Sequence, residues 1–309
     1  TGGASWCWLD KYGALPNGLN PSACCDTQYG PQGLEACWNS HFTFDLCCKG
    51  DLQRGELPHF FVAPALDMNV ANALKRQGTF DLRMSYALQA LCRRGDTVLD
   101  IGANIGAFTV PLAERVGPTG EVHAFEPFRK IYQHLNANVA LNGISNVYAY
   151  NVAVGREDKV EWIYAPDLNN LGTPSAMRVA AQSTPDEAIE YDNVAYETKL
   201  SKVVTRTLDS FHFDGRVQLV KIDVEFMELE VVLGARETIK RHRPVIWAEN
   251  EPFFKAKPPD ETFVNTMATE FSYTCEKIAD LELLCTPYER TEEVVTGIRR
   301  VLQHMNVPL

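Results

Sequence analysis

The sequence has no run of eighteen or more apolar residues, so no segment of it reads as a transmembrane helix. Its first residues lack the basic-then-apolar order of a secretory signal; a signal or anchor, if one exists, is expected upstream of Thr1. No Lys/Arg run is long enough to follow a phosphate backbone, and 40 acidic against 29 basic residues leave a net charge of -11. Nucleic acid is therefore not an expected partner. The dinucleotide pattern GxGxxG is also missing, which argues against a nicotinamide-dependent enzyme.

Cysteine is sparse after residue 50, where Cys92, Cys275 and Cys285 stand alone, but six fall before it: Cys7, Cys24, Cys25, Cys37, Cys47 and Cys48. An even number in a short, Gly/Pro/Asn-rich stretch reads as a disulfide scaffold, because so short a segment cannot build a sufficient core alone. A zinc site would want paired CxxC or Cys/His spacing, and the two Cys-Cys doublets fit that poorly. The expectation is a disulfide module over 1–52, hence a secretory-pathway lumen such as the Golgi, or secretion. Six free thiols would return the protein to the cytoplasm.

Residues 53–94 read as a helical lead-in, with Phe80, Met84, Leu88 and Leu91 at spacings of three and four. From 95 to 309 the chain alternates. Strands are expected at 97–101, 121–125, 146–153, 217–223 and 244–249, with helices over about 105–115, 128–141 and 226–240. That rhythm predicts an α/β fold with a doubly wound, mostly parallel sheet. Residues 273–278 and 281–285 predict an antiparallel edge hairpin, with Cys275 and Cys285 on its two arms. Between about 165 and 202 a polar insertion carries Asp167, Asp186, Glu187, Glu190, Asp192 and Glu197, and is expected to help cover an acceptor pocket.

The stretch Val98–Phe108 reads VLDIGANIGAF: a strand, an acid and a GxxxG turn running into a helix. Gly102 and Gly106 let the backbone turn sharply and approach a bulky ligand. This turn, with Asp100, Ala103, Asn104 and Phe108, suits a ligand with an amino group and a sulfonium in place of a pyrophosphate. The next strand ends in Glu126-Pro127, where a doubly wound fold places a carboxylate for two ribose hydroxyls. Asn151 and Val152 end the third strand, where an adenine would lie; Asn151 could instead cap the turn to Gly155.

Together with LVKIDVEFMELEVVLG from Leu219 to Gly234, these segments resemble the FkbM family of S-adenosylmethionine-dependent methyltransferases over roughly residues 95–253. The resemblance implies a Rossmann-like methyltransferase fold, S-adenosylmethionine as cofactor, and O-methyl transfer to a hydroxyl-bearing acceptor such as a sugar or glycoconjugate. Where the family pattern has glycine, this chain has Phe226. Methyl transfer to an alcohol needs a group to take the hydroxyl proton, and Asp223 at the fourth strand end is the first candidate, with Glu225 and Glu249 beside it. Glu228 reads equally as a first-turn helix acid. A second reading puts Mg²⁺ in an oxygen cage of Asp223, Glu249 and Glu251. His123 is expected inside the sheet and His212 near the pocket rim. The remaining alternative is a non-catalytic glycan- or ligand-binding protein that retains the fold.

Overall fold

The computed structural model describes residues 59, 61, 70, 73–74, 80–166, 189–191, 194–196, 198–224, 226–249, 262–278 and 281–304. The cysteine-rich segment 1–52, most of the lead-in before Phe80 and residues 167–188 of the insertion lie outside the described residues, as do Glu225 and Glu251.

In chain order the elements are α1 (Leu82–Ala90), β1 (Thr97–Ile101), α2 (Thr109–Val116), β2 (Glu121–Phe125), α3 (Arg129–Leu141), β3 (Val147–Tyr150), β4 (Ala153–Val154) and β5 (Lys159–Pro166). There follow β6 (Ile189–Tyr191), β7 (Val194–Tyr196), β8 (Thr198–Arg206), β9 (Val217–Ile222), α4 (Glu228–Leu233), α5 (Arg236–His242) and β10 (Val245–Glu249). The last are α6 (Thr262–Phe271), β11 (Tyr273–Lys277), β12 (Glu282–Pro287) and α7 (Thr291–His304).

Seven strands form the main sheet in the order β11-β12-β10-β9-β1-β2-β3. Pairs from β10 through β3 are parallel, and β12 runs antiparallel to both β10 and β11. β1 is buried at all five positions, as a strand covered on both faces must be. One face packs Leu99, Ile101, Val220, Ile222 and Ile246 against α4, α5 and α6; the other packs Val98, Leu219 and Trp247 against α1, α2 and α7. The lead-in helix forms as its spacing predicts, and the Asp81 carboxylate caps it by accepting from the Met84 amide at 2.8 Å. Among the described residues no helix is long and apolar enough to cross a membrane.

Three expectations change. The strand 146–153 stops at Tyr150, and Ala153-Val154 joins β8 in a separate sheet, ordered β4-β8-β5. The helix 226–240 is two helices, α4 and α5, parted at Gly234. A Cβ there would lie 1.9 Å from the Gly155 carbonyl oxygen, so the chain needs a bare backbone at that point. The ends of the insertion are not loop: β5 and β8 pair antiparallel from Lys159↔Thr205 to Pro166↔Thr198. At the sheet edge the expected hairpin forms, Cys275 stands opposite Cys285 with Cα atoms 4.0 Å apart, and a disulfide joins them.

Candidate active site

From β1 the chain winds outward through β2 to β3 and later returns to β9 on the other side of β1, so the strand order reverses between β1 and β9, and a crevice opens beyond their carboxyl ends. A cavity of about 330 Å³ occupies it. Gly102, Asn104, Glu126, Pro127, Val152 and Asp223 line it, and Lys159, Glu161 and Thr205 close one side from the base of the β5–β8 ribbon.

The turn after β1 is built as the glycine spacing requires. Gly102 and Gly106 have φ of +79° and +89°, and a Cβ on Gly102 would stand 1.8 Å from the Asp223 carbonyl oxygen. The amides of Gly102 and Ala103 both donate to the Phe125 carbonyl at 3.0 Å, fastening the turn to β2. Asn104 is left-handed at φ 51°, a conformation its short polar side chain tolerates; its Oδ1 accepts from the Ile105 amide at 2.7 Å.

Glu126 leaves the end of β2 with 5% of its surface exposed. Its Oε2 accepts from the Asn104 amide at 3.0 Å and its Oε1 from the Phe128 amide at 2.9 Å. Burial pushes its pKa up to about 7, against the opposing pull of those two N–H groups. Each oxygen keeps acceptor capacity, so the group can receive hydroxyl donors from the cavity.

Asn151, expected at the adenine, is not among the residues lining the cavity. Its Nδ2 donates to the carbonyls of Glu126 and Pro127, both at 2.9 Å, so its donors hold the Glu126 loop in place. Val152 does line the cavity. Phe108 does not line the cavity: it is buried in the core, edge-on to Phe80, with the Lys221 ammonium 5.4 Å from its ring centre. Ala103 packs against Ala124 and Leu135 beneath the turn.

Asp100 lies behind the cavity wall with no exposed surface. Its Oδ2 accepts from the Thr109 hydroxyl at 2.6 Å, and its Oδ1, without a hydrogen bond among the described residues, faces Lys221 Nζ at 3.4 Å. Lys221 was not singled out by sequence reasoning, although it lies inside the motif LVKIDVE. It is 1% exposed, donates to the Gly102 carbonyl at 2.9 Å and sits 3.2 Å from Asp223 Oδ2. Burial works against its ammonium form, but the Asp223 and Asp100 carboxylates outweigh it and hold the pKa above the ordinary lysine value. The signal available was alternation: position 221 points to the same sheet face as 223 and pairs with Asp100 in register.

Asp223 lines the cavity and keeps 27% of its side chain exposed, which suits a group that must meet a substrate. Glu228 is buried at the start of α4, where its Oε1 accepts from the Phe226 amide at 3.2 Å; burial raises its pKa to about 7. Glu249 is half-buried at the end of β10, opposite Glu282 on β12. Glu282, also unforeseen, accepts from Trp247 Nε1 at 2.6 Å, and burial, then Asp223, raises its pKa to about 7. Among the described residues no three His, Cys, Asp or Glu side chains are arranged to hold a metal ion. Phe226 is left-handed at φ 77°, the region that favours the glycine it replaces. His123 stacks on Tyr148 and Tyr150 within the sheet, and His212 is exposed beside Asp214.

The Methyltransferase FkbM domain matches residues 100–281. Methyltransferase 1 of Beauveria bassiana is 29% identical over 143 residues, 44% of this chain and 57% of that protein. Methyltransferase sdnD of Sordaria araneosa is 30% identical over 159 residues, 45% of this chain and 60% of that protein. The chain thus spans less than two thirds of the length of either. A crystal structure of methyltransferase FkbM from Methylobacillus flagellatus aligns with a TM-score of 0.42 at 16% identity, over 62% of this chain and 43% of that one. The chain belongs to the methyltransferase FkbM domain family.

Proposed function

We propose that the protein is an S-adenosylmethionine-dependent O-methyltransferase acting on a hydroxyl of a carbohydrate or glycoconjugate. One observation carries the reading: Glu126, the Gly102 turn and the partly exposed Asp223 line a single cavity. The residues fit the cofactor. Glu126 is anchored by two amides with acceptor capacity left, as two vicinal hydroxyls require, and the volume is at the scale of small-molecule sites.

When bound, the cofactor supplies an electrophilic methyl group. Glu126 accepts from the ribose hydroxyls, and Val152 and Pro127 offer apolar wall to the base. Gly102 keeps side-chain bulk out of the turn. Asp223 would take the acceptor's hydroxyl proton, and Lys221 behind it fixes the carboxylate's position. The six cysteines of segment 1–52, read as a disulfide module ahead of a domain from about 95 to 309, support a secretory lumen as the compartment.

The test pairs binding with turnover. Calorimetry with S-adenosylhomocysteine should show saturable binding to wild type and to Asp223→Asn, while the variant loses methyl transfer to a panel of mono- and oligosaccharides. No binding at millimolar ligand sinks the reading. Binding without turnover in wild type points to the non-catalytic alternative. Activity lost on chelation and restored by Mg²⁺ would favour a cage including Asp223, Glu249 and Glu251.

A further inference from the structure

A second cavity, of about 430 Å³, lies at the other end of the sheet, between the last turn of α1, the start of β9 and α7. Leu91, Val294 and Ile298 give it an apolar side, and Arg216 and Arg290 also line it. Both guanidinium groups are fastened by backbone or amide acceptors. Arg216 Nε donates to the His242 carbonyl at 3.4 Å; Arg290 donates to the Arg243 carbonyl and to Gln218 Oε1, each at 3.3 Å. Neither forms an ion pair among the described residues.

Arg93, Asp96 and Glu293 line the same cavity, so three cations face two carboxylates there. Asp96 Oδ2 accepts from the Arg93 amide at 2.6 Å, and Glu293 Oε1 is 3.9 Å from the Arg93 guanidinium. Arg216 and Arg290 thus face one cavity in a chain of net charge -11. Like charges brought together are costly, and a multiply charged oxyanion between them relieves this, because a guanidinium fork grips oxyanion oxygens in pairs.

We propose that this cavity binds a small phosphate monoester, with its phosphoryl group between Arg216 and Arg290 and its carbon substituent against Leu91, Val294 and Ile298. The site is independent of methyl transfer, since it shares no residue with the first cavity.

Calorimetry on the full chain, with butyl phosphate and inorganic phosphate as probes, tests it. Butyl phosphate should bind saturably and about tenfold more tightly than inorganic phosphate, reflecting the apolar wall. Arg216→Gln and Arg290→Gln should each weaken it by about tenfold or more, with S-adenosylhomocysteine binding and melting temperature retained or raised. Should either variant fold poorly, Gly297→Glu serves instead. A Cβ at that helical position meets nothing within 4 Å, and the carboxylate at the cavity wall should abolish ester binding. No saturable binding at about 10 mM, unchanged affinity in the variants, or inorganic phosphate binding as tightly as the ester would overturn the proposal.

Discussion

Lys221 ties Asp223 to the core: its ammonium lies 3.2 Å from the Asp223 carboxylate on the cavity wall and 3.4 Å from Asp100, which has no exposed surface. Removing the cation strands a buried negative charge. Lys221→Met should therefore cost about 3–5 kcal/mol in denaturant unfolding. Neutralising the stranded partner as well, in Lys221→Met/Asp100→Asn, should recover a large part of that loss, because a neutral amide can still meet the Thr109 hydroxyl. Equal stability of the single and double variants would show that the pairing does not matter.

The sheet was legible because parallel buried strands leave dense apolar runs, and β1, β2, β9 and β10 fall within a residue or two of their expected bounds. Gly102, Glu126 and Asp223 were legible for a related reason: each sits at a strand end, a place that topology alone makes part of the crevice. The contacts of Asn151, Phe108 and Asp100 were not, since one-dimensional spacing says which element a residue occupies but not which way its side chain turns. Lys221 escaped because a lysine inside an apolar strand reads as an interruption until its two carboxylate neighbours are known. The β5–β8 ribbon escaped because polar composition reads as loop, although long-range pairing can make it sheet.

Glu126 makes ligand binding depend on pH. Its pKa in the folded protein is about 7, raised from 4.5 chiefly by burial. A carboxyl raised in this way holds its proton more firmly folded than unfolded, so its contribution to stability is present below about 4.5 and is lost as pH rises through about 7. Hydroxyl donors from a ribose favour the charged form and pull the other way. S-adenosylhomocysteine affinity should therefore improve up to about tenfold per pH unit below 7 and level off above it. Glu126→Gln should bind weakly and without that slope. A wild-type affinity constant from pH 5.5 to 8 would contradict the assignment.

Asn151 offers a test of positioning apart from contact. Asn151→Ala removes two hydrogen bonds to the Glu126 and Pro127 carbonyls, about 1 kcal/mol each, and loosens the loop that presents the carboxylate. Affinity for S-adenosylhomocysteine should fall several-fold. Affinity for adenosine and for methylthioadenosine, which share the ribose, should fall by the same factor. An amide that contacted adenine would instead matter more for adenine than for nucleosides carrying a different base, so a loss that varies with the base would restore the contact reading.

The two left-handed positions beside Asp223 predict opposite mutational behaviour. At Gly102 any side chain collides with the Asp223 carbonyl, so Gly102→Ala should destabilise the fold and abolish cofactor binding together. At Phe226 the strained backbone already carries a side chain, at about 1–3 kcal/mol. Phe226→Gly relieves that strain while losing the ring's contacts, whereas Phe226→Val keeps the strain and adds β-branching. Melting temperatures should therefore rank Phe226→Gly above Phe226→Val, the reverse of the order in a strand or helix, where glycine is the weaker choice. If valine is the better tolerated of the two, the backbone at 226 is not left-handed in solution, and the opening of α4 has a different shape from the one that turns Glu228 back onto the Phe226 amide.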